Sequence, residues 1–296
     1  MQKLHFRPLA IFSLVVLASC GGGSSSSIDT MAPAITGVSM SPPSNGQHTL
    51  TVAATDNTGV TGYCFKTSST SPLASDACFQ TAANYTITLP QTSAIYAWAK
   101  DAAGNISASA NAGCSAAGLS ASQASTLPTV CVSTSLGQYV VELESTKAPI
   151  TTANFLKYVN DGYYSQTVFH RVIANFIVQG GGFTGVPISP STAKAGTVYP
   201  AISLEAPANT GLSNKTGTIA MARTSVANSA TSQFFINVVD NTALDTSGGG
   251  YAVFGQVISG MDTTIQSIKN VQVQSNGLEV SQPLTPPVVS WAYSTK

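Results

Sequence analysis

The chain has 296 residues, with 12 basic and 12 acidic side chains and a formal net charge of zero. Charged residues make up 8% of the sequence, against about a quarter in ordinary soluble domains. This length leaves room for two domains of ordinary size. Without net charge there is no electrostatic basis for binding nucleic acid or an anionic membrane surface, so we expect neither as a partner.

The first 20 residues are typical of an export signal. Lys3 and Arg7 form a short basic region, and the apolar run from Leu9 to Leu17 follows it. This run is too short to span a bilayer as a helix of the mature protein. We therefore predict that residues 1–20 are a signal peptide.

The signal ends in Leu17-Ala18-Ser19-Cys20, which resembles the bacterial lipobox. In that motif the cysteine is lipidated and becomes the new N-terminus, so the resemblance makes Cys20 the lipidation site. An ordinary secretory signal cut near Ala18 is the alternative. Residues 21–27 contain only Gly and Ser and are predicted to be a flexible tether. We expect a lipid anchor in the bacterial cell envelope, at the outer membrane and facing the periplasm.

Four further cysteines, Cys64, Cys78, Cys114 and Cys131, suggest disulfides in an exported chain. Three pairings are possible. We favour the sequential ones, each closing a loop of about 15 residues that is worth roughly 3 kcal/mol. A zinc site is the rival interpretation, but no CxxC spacing occurs. We therefore expect no bound metal.

Residues 28–110 alternate apolar and polar side chains between turn signals. Short β-prone runs include 49–54, 85–89 and 95–99. Such runs, punctuated by Pro, Asn and Gly, predict an antiparallel β-sandwich.

The same segment resembles small bacterial immunoglobulin-like modules. The resemblance rests on its start at 29–33, the turn at 56–60 and the run 98–105. It implies an immunoglobulin-like β-sandwich that serves as a spacer or an adhesive unit. The stretch 111–130, rich in Ala, Ser and Gly, is predicted to be a linker.

Residues 131–296 form the larger predicted domain. A strand is expected at Gln138–Leu143, and a helix after Pro149 that Gly162 ends. A second helical stripe places Met261, Ile265 and Ile268 on one face. Two helices among many strands predict a mainly β fold, a closed antiparallel β-barrel capped by two helices.

Several motifs in this domain are similar to those of the cyclophilins. They are Phe169–Phe183, Gly217–Arg223, Ser232–Ile236 and Tyr251–Val257. In their order and their spread along the domain, these motifs resemble those of cyclophilin-type peptidyl-prolyl cis-trans isomerases. Their sequences look most like those of the bacterial members. The resemblance implies the barrel fold and isomerisation of X-Pro bonds in proline-containing polypeptides, without a cofactor.

The resemblance also assigns site residues. Arg171 would lie beside the prolyl nitrogen, with Phe176 and Gln179 as the other catalytic positions. The substrate-binding positions would be His170, Ile177, Ala222, Arg223, Thr224, Gln233, Phe235, Leu244 and Tyr251. Of these, His170 is expected to be a structural neighbour of the site rather than a base.

Other interpretations stay open at this stage. Periodicity alone would place Phe176, Ile177 and Phe235 in the barrel core, and only the surrounding motifs favour a pocket. The domain could be a catalytically weak peptide-binding or chaperone surface, or part of an adhesive surface lipoprotein. Retention of Arg171 favours the enzyme. We expect a monomer.

Overall fold

The computed structural model describes residues 28–41, 47–88 and 90–296. The predicted signal, Cys20 and the tether lie outside the described residues. The helices within these ranges are α1 (Ala116–Ala124), α2 (Pro149–Asn160), α3 (Pro207–Thr210) and α4 (Gln266–Lys269), the last continuing a π-helical turn at Met261–Ile265. None of the described helices is both long and apolar enough to cross a membrane.

The N-terminal part consists of two three-stranded antiparallel sheets, ordered β1-β2-β4 and β3-β5-β6. Their strands are β1 (Ala34–Met40), β2 (Gln47–Thr55), β3 (Val60–Lys66), β4 (Asn84–Thr88), β5 (Tyr96–Asp101) and β6 (Ala110–Asn111). Leu50 and Ile87 of the first sheet and Ala97 of the second are buried in one cluster, so the sheets share a core. A disulfide joins Cys64 on β3 to Cys78.

The C-terminal part is built on one eight-stranded antiparallel sheet. Its strands are β7 (Thr129–Thr134), β8 (Gly137–Leu143), β9 (Arg171–Val172), β10 (Ile177–Gly180), β11 (Thr218–Met221), β12 (Phe234–Asn237), β13 (Val253–Ser259) and β16 (Val289–Ser294). The separate hairpin β14 (Val273–Ser275) and β15 (Val280–Pro283) lies before the last strand. The sheet order is β16-β7-β8-β13-β11-β12-β10-β9.

The sheet curls strongly into a half-barrel around an apolar core. The fold is therefore mainly β, as predicted, but the named strands leave β16 and β9 as the two ends of the order rather than a closed ring. Between these ends the chain makes hydrogen bonds, since Phe169 N–H donates to the Pro287 carbonyl at 2.9 Å and Val289 N–H to the Thr167 carbonyl at 2.7 Å.

Both predicted helices form where the sequence placed them. Pro149 opens α2, Phe155 and Tyr158 are buried in the core, and Gly162 follows the helix with a φ of 66°. Pro suits the first helical turn because no N–H partner is lost there, and glycine accepts the left-handed conformation after the last turn. Ile265 and Ile268 pack into the same core.

The segment predicted to be a linker is folded, which corrects that interpretation. It contains α1, whose first turn is capped by the Ser115 hydroxyl accepting from Gly118 N–H at 3.1 Å. A Cβ at Gly118 would lie 2.9 Å from Cys114 Sγ and 3.0 Å from Val140 Cγ2. The small residues that suggested a linker are thus what lets the helix pack closely.

The N-terminal part is joined to the outer face of the C-terminal sheet. The disulfide Cys114–Cys131 links the connector to β7, and Cys114 N–H donates to the Tyr293 hydroxyl at 2.5 Å. Trp291 stacks on Tyr293 with ring centroids 4.8 Å apart. These residues belong to one buried cluster with Leu50 and other side chains of the N-terminal sheets. Both sequential disulfides favoured from the sequence are therefore present, and the two parts share a core.

This shared core predicts the effect of Trp291→Ala. Because Trp291 is 2% exposed, its truncation should leave a cavity and lower the free energy of unfolding by about 3–5 kcal/mol. Equilibrium urea unfolding measures the change. Leu278→Ala is the control, since Leu278 is 95% exposed and should shift stability by less than about 0.5 kcal/mol. Equal small effects of both variants would contradict the packing of the two parts.

Candidate active site

A row of side chains crosses four neighbouring strands on the outer face of the sheet. In the antiparallel register Arg171 of β9 lies opposite Gln179 of β10, which lies opposite Phe235 of β12, and Phe235 lies opposite Ala220 of β11. Directly opposed residues of paired strands point to the same face. The pairing therefore gathers one cation, one amide and an aromatic ring from distant parts of the sequence.

The next residue on each strand points the other way. Val172, Val178, Ile236 and Ile219 form the adjacent row and are buried in the barrel core. Alternation of side chains along a strand produces the two rows. The sequence Ile177-Val178-Gln179 thus supplies a pocket wall, a core residue and a polar pocket residue in succession.

The outer row borders a cavity of about 240 Å³. Nine predicted site residues line it: Arg171, Phe176, Ile177, Gln179, Ala222, Arg223, Phe235, Leu244 and Tyr251. Six apolar or aromatic side chains line it together with the polar Arg171, Gln179 and Arg223. Phe235 meets Tyr251 edge-on with ring centroids 5.8 Å apart. A hollow lined by apolar side chains and a few polar ones suits a small apolar ring attached to a peptide.

Two more predicted residues, Thr224 and Gln233, lie beside this cavity rather than in it. They line a neighbouring cavity together with Ser229 and Thr231, which the sequence reasoning missed. Gln179 borders both cavities and donates from Nε2 to Gln233 Oε1 at 3.1 Å. The two predicted glutamines are therefore in contact.

Arg223 uses its side chain to brace a loop. The guanidinium donates to the Gly250 carbonyl from Nη2 at 2.8 Å and to the Gly248 carbonyl at 2.7 Å. Its Cζ lies 4.4 Å from the centroid of the Tyr251 ring, a cation–π distance. The sequence predicted only main-chain contacts to substrate here, so the brace on the Tyr251 wall is an added role.

His170 does not enter the pocket, which corrects its place among the substrate-binding residues. It is 3% exposed, and its ring meets Phe183 edge-on with centroids 4.9 Å apart. Its neighbour Arg171 points outward, so alternation turns His170 inward. Burial is the main cause that lowers the pKa of His170 to about 4, with a smaller lowering by the charge of Arg171. The expectation that it is structural fits this position.

Three asparagines behind the pocket were not found from the sequence. Asn241 Nδ2 donates to the Phe176 carbonyl and to Asn237 Oδ1, each at 2.8 Å. Asn237 Nδ2 donates to Asn214 Oδ1 at 3.1 Å, and Asn214 Nδ2 reaches the Tyr251 carbonyl at 3.2 Å. This chain of amides links two opposite walls of the pocket. Isolated Asn residues carry no sequence signal for such a role.

Glu279 was also missed, and it lies against the predicted catalytic cation. Arg171 donates from Nε to Glu279 Oε1 and from Nη2 to Oε2, the second bond at 2.8 Å. Among the residues that the structure describes, this is the only ion pair between side chains. Hydrogen bonding from Arg171 lowers the pKa of Glu279, so the carboxylate is ionised at neutral pH.

Comparisons with known proteins identify the family of the C-terminal part. The family described as "Cyclophilin type peptidyl-prolyl cis-trans isomerase/CLD" matches residues 129–290. That match covers more than half of the chain, and the chain therefore belongs to the cyclophilin-type peptidyl-prolyl cis-trans isomerases. It is an enzyme of that class.

Bacterial relatives are similar over about half of the chain. A peptidyl-prolyl cis-trans isomerase of Acinetobacter baylyi is 46% identical over 155 residues, covering 52% of this chain and 78% of the relative. Peptidyl-prolyl cis-trans isomerase A of Dickeya dadantii is 45% identical, covering 57% of this chain and 85% of the relative.

A cyclophilin type isomerase structure from Cryptosporidium parvum has a TM-score of 0.46 at 24% identity, covering 57% of this chain and 98% of that chain.

The buried His170 predicts an acid-sensitive fold. Between its ordinary pKa of 6.5 and the folded value of about 4, the unfolded chain takes up a proton that the folded chain does not. The stability that neutral burial of His170 contributes is therefore fully present above pH 6.5. It is lost as the pH drops toward 4, by on the order of 3 kcal/mol. Urea unfolding of the wild type and His170→Gln at pH 7 and pH 4.5 measures this.

The His170→Gln variant should lose less stability on acidification than the wild type. His48→Gln is a comparison variant in the N-terminal part: because burial also lowers the pKa of His48, it too should lose less stability on acidification than the wild type. If wild type and His170→Gln showed the same acid destabilisation, neutral burial of His170 would not be its source.

Proposed function

We propose that this isomerase accelerates rotation about X-Pro bonds of proteins in the bacterial cell envelope, with Arg171 stabilising the twisted amide. The uncatalysed rotation crosses a barrier of about 18–20 kcal/mol, because the planar amide loses its resonance on the way. It takes tens to hundreds of seconds at room temperature for an X-Pro bond. A protein that folds outside the cytoplasm meets this delay at each proline that must change isomer.

The reaction requires few chemical groups from the enzyme. In the twisted state the prolyl nitrogen regains a lone pair, so a donor aimed at that nitrogen favours the twisted over the planar amide. Neither a nucleophile nor a proton transfer is needed. A barrier lower by about 6 kcal/mol corresponds to roughly 10⁴-fold faster rotation.

The observation that carries this proposal is the position of Arg171 in the lining of a cavity that it shares with Phe176, Phe235 and other apolar side chains. Its guanidinium Cζ lies 5.8 Å from the centroid of the Phe176 ring, which forms a wall of the same cavity. A proline ring seated against Phe176 and Phe235 would bring its nitrogen toward this cation. Gln179, next to Arg171 in the cross-strand row, would hold the peptide backbone.

Substitution of Arg171 tests the catalytic role. Arg171→Ala should lower kcat/KM at least tenfold, because the donor to the prolyl nitrogen is lost. Arg171→Lys should recover only part of the rate, since a point charge lacks the fixed fork of donors. A protease-coupled assay with a proline tetrapeptide, or exchange spectroscopy by NMR, measures both.

Thermal unfolding of each Arg171 variant shows whether the fold is retained. Wild-type and Arg171→Ala rates that are equal and at the uncatalysed level would instead support a peptide-binding or chaperone surface without turnover.

The envelope location rests on the sequence. The lipobox-like end of the signal places Cys20 before a Gly/Ser tether, and a lipidated N-terminus would anchor the protein by acyl chains. We infer that the N-terminal sheets are an immunoglobulin-like module that separates the isomerase from the anchor. Proline-containing polypeptides in the periplasm would then be its clients, and the protein would act as a monomer.

Replacement of Cys20 tests the anchor. Expressed with its signal in a Gram-negative host, wild type should fractionate with the outer membrane, and globomycin should block its processing. Cys20→Ala should appear in the soluble periplasmic fraction. The control is the double variant Cys64→Ser/Cys78→Ser, which removes two cysteines of the N-terminal disulfide and should stay attached. Unchanged attachment of Cys20→Ala would contradict the lipid anchor.

A further inference from the structure

The hairpin β14–β15 places a carboxylate against the cation of the site, outside the pocket itself. Arg171 lines the cavity and Glu279 does not. Glu279 therefore contacts the guanidinium without forming part of the cavity wall. Glu279 accepts two N–H groups, on Nε and Nη2, which leaves three of the five guanidinium donors that it does not use.

Arg171 needs such outside support because of where it lies in the fold. Strand β9 has two residues and is the last strand of the sheet, paired only to β10. An edge strand this short gives a long side chain little lateral packing. The side chain of Arg171 is 28% exposed, and strand β15 contacts β9.

The hairpin holds Glu279 in place by hydrogen bonds of its own. Asn276 Oδ1 accepts from Glu279 N–H at 3.0 Å, and Gly277, with a φ of 91°, completes the turn. Ser281 Oγ donates to Glu279 Oε1 at 2.8 Å, and Ser281 is 1% exposed. A carboxylate held at both its backbone and its side chain can fix the partner that it binds.

We propose that Glu279 is a positioning residue for Arg171, holding the guanidinium fork in the orientation that reaches the prolyl nitrogen. This rests on the proposed role of Arg171. A carboxylate could also oppose catalysis by weakening the positive field at that nitrogen. Because Glu279 is 31% and Arg171 28% exposed, water screens this field, whereas the two direct hydrogen bonds orient the guanidinium at contact distance. Orientation therefore outweighs the loss of charge.

The substitutions Glu279→Gln and Glu279→Ala test the proposal. Each should lower kcat about five- to tenfold and leave KM within about twofold, because the guanidinium is needed in the twisted state more than in the bound planar one. Glu279→Asp, which keeps the carboxylate, should recover part of the loss. Exchange and line-shape NMR on a proline tetrapeptide give kcat and KM separately. Glu144→Gln, the same change outside the pocket, should have no effect.

A spectroscopic measurement reports the orientation directly. The chain has three arginines, Arg7, Arg171 and Arg223, so the Nε–H resonance of Arg171 can be assigned with Arg223→Lys as reference. In wild type this proton should exchange slowly with water because Glu279 accepts it. In Glu279→Gln the exchange should be faster, while thermal unfolding stays close to wild type.

The outcomes separate the two proposals. Loss of rate in Arg171→Ala together with wild-type kcat in both Glu279→Gln and Glu279→Ala would overturn the positioning role alone. A higher kcat in the Glu279 variants would also overturn it, since the carboxylate would then be damping the cation. An unaffected rate in Arg171→Ala would instead remove the proposed role of Arg171.

Discussion

The active site depends on the register of four short antiparallel strands. Val172 and Val178 face the core because apolar burial drives them there, and this leaves Arg171 and Gln179 on the other face. A slip of one residue would exchange the two faces, bringing a cation into the core and a valine into the pocket. The cost of burying an unpaired charge excludes that slip. Packing of the core therefore sets the position of Arg171, Gln179 and Phe235 on the outer face.

In the opposite part of the same sheet, at β7 and β16, side chains on both faces are buried. On β16 the outward residues Trp291 and Tyr293 are as buried as the inward Ala292. The N-terminal sheets and the α1 connector cover the outward face, with the Cys114–Cys131 disulfide fixing the contact. One sheet thus leaves its outer face open at β9–β12, where a peptide must enter, and closes it at β7 and β16. The N-terminal part stabilises the sheet away from the site.

The sequence predicted those features that depend on local pattern. Pro149 and Gly162 marked the limits of a helix, and the motifs placed nine residues around one cavity. It did not predict the shared core of the two parts. The uninterrupted apolar run Trp291-Ala292-Tyr293 carried that signal, because a strand with both faces buried loses its alternation.

Other features had no local signal to find. The 111–130 segment looked like a linker because small residues are common in both loops and tightly packed helices. The partner of Arg171 is 108 residues away along the chain, and only the folded hairpin brings Glu279 to it. Long-range polar contacts of this kind depend on topology, which periodicity and composition do not report.

The ion pair between Arg171 and Glu279 is better explained by geometry than by stability. A partly exposed pair contributes at most about 1 kcal/mol to folding, because solvation and side-chain ordering oppose the attraction. In a chain with only 8% charged residues, surface polarity comes mainly from hydroxyl and amide groups, so the fold has little need of this pair. The bidentate contact with Glu279 restricts the guanidinium group of Arg171 to one plane. Under the proposed mechanism, in which Arg171 donates one aimed hydrogen bond to the prolyl nitrogen, that restriction acts on the orientation that sets the rate.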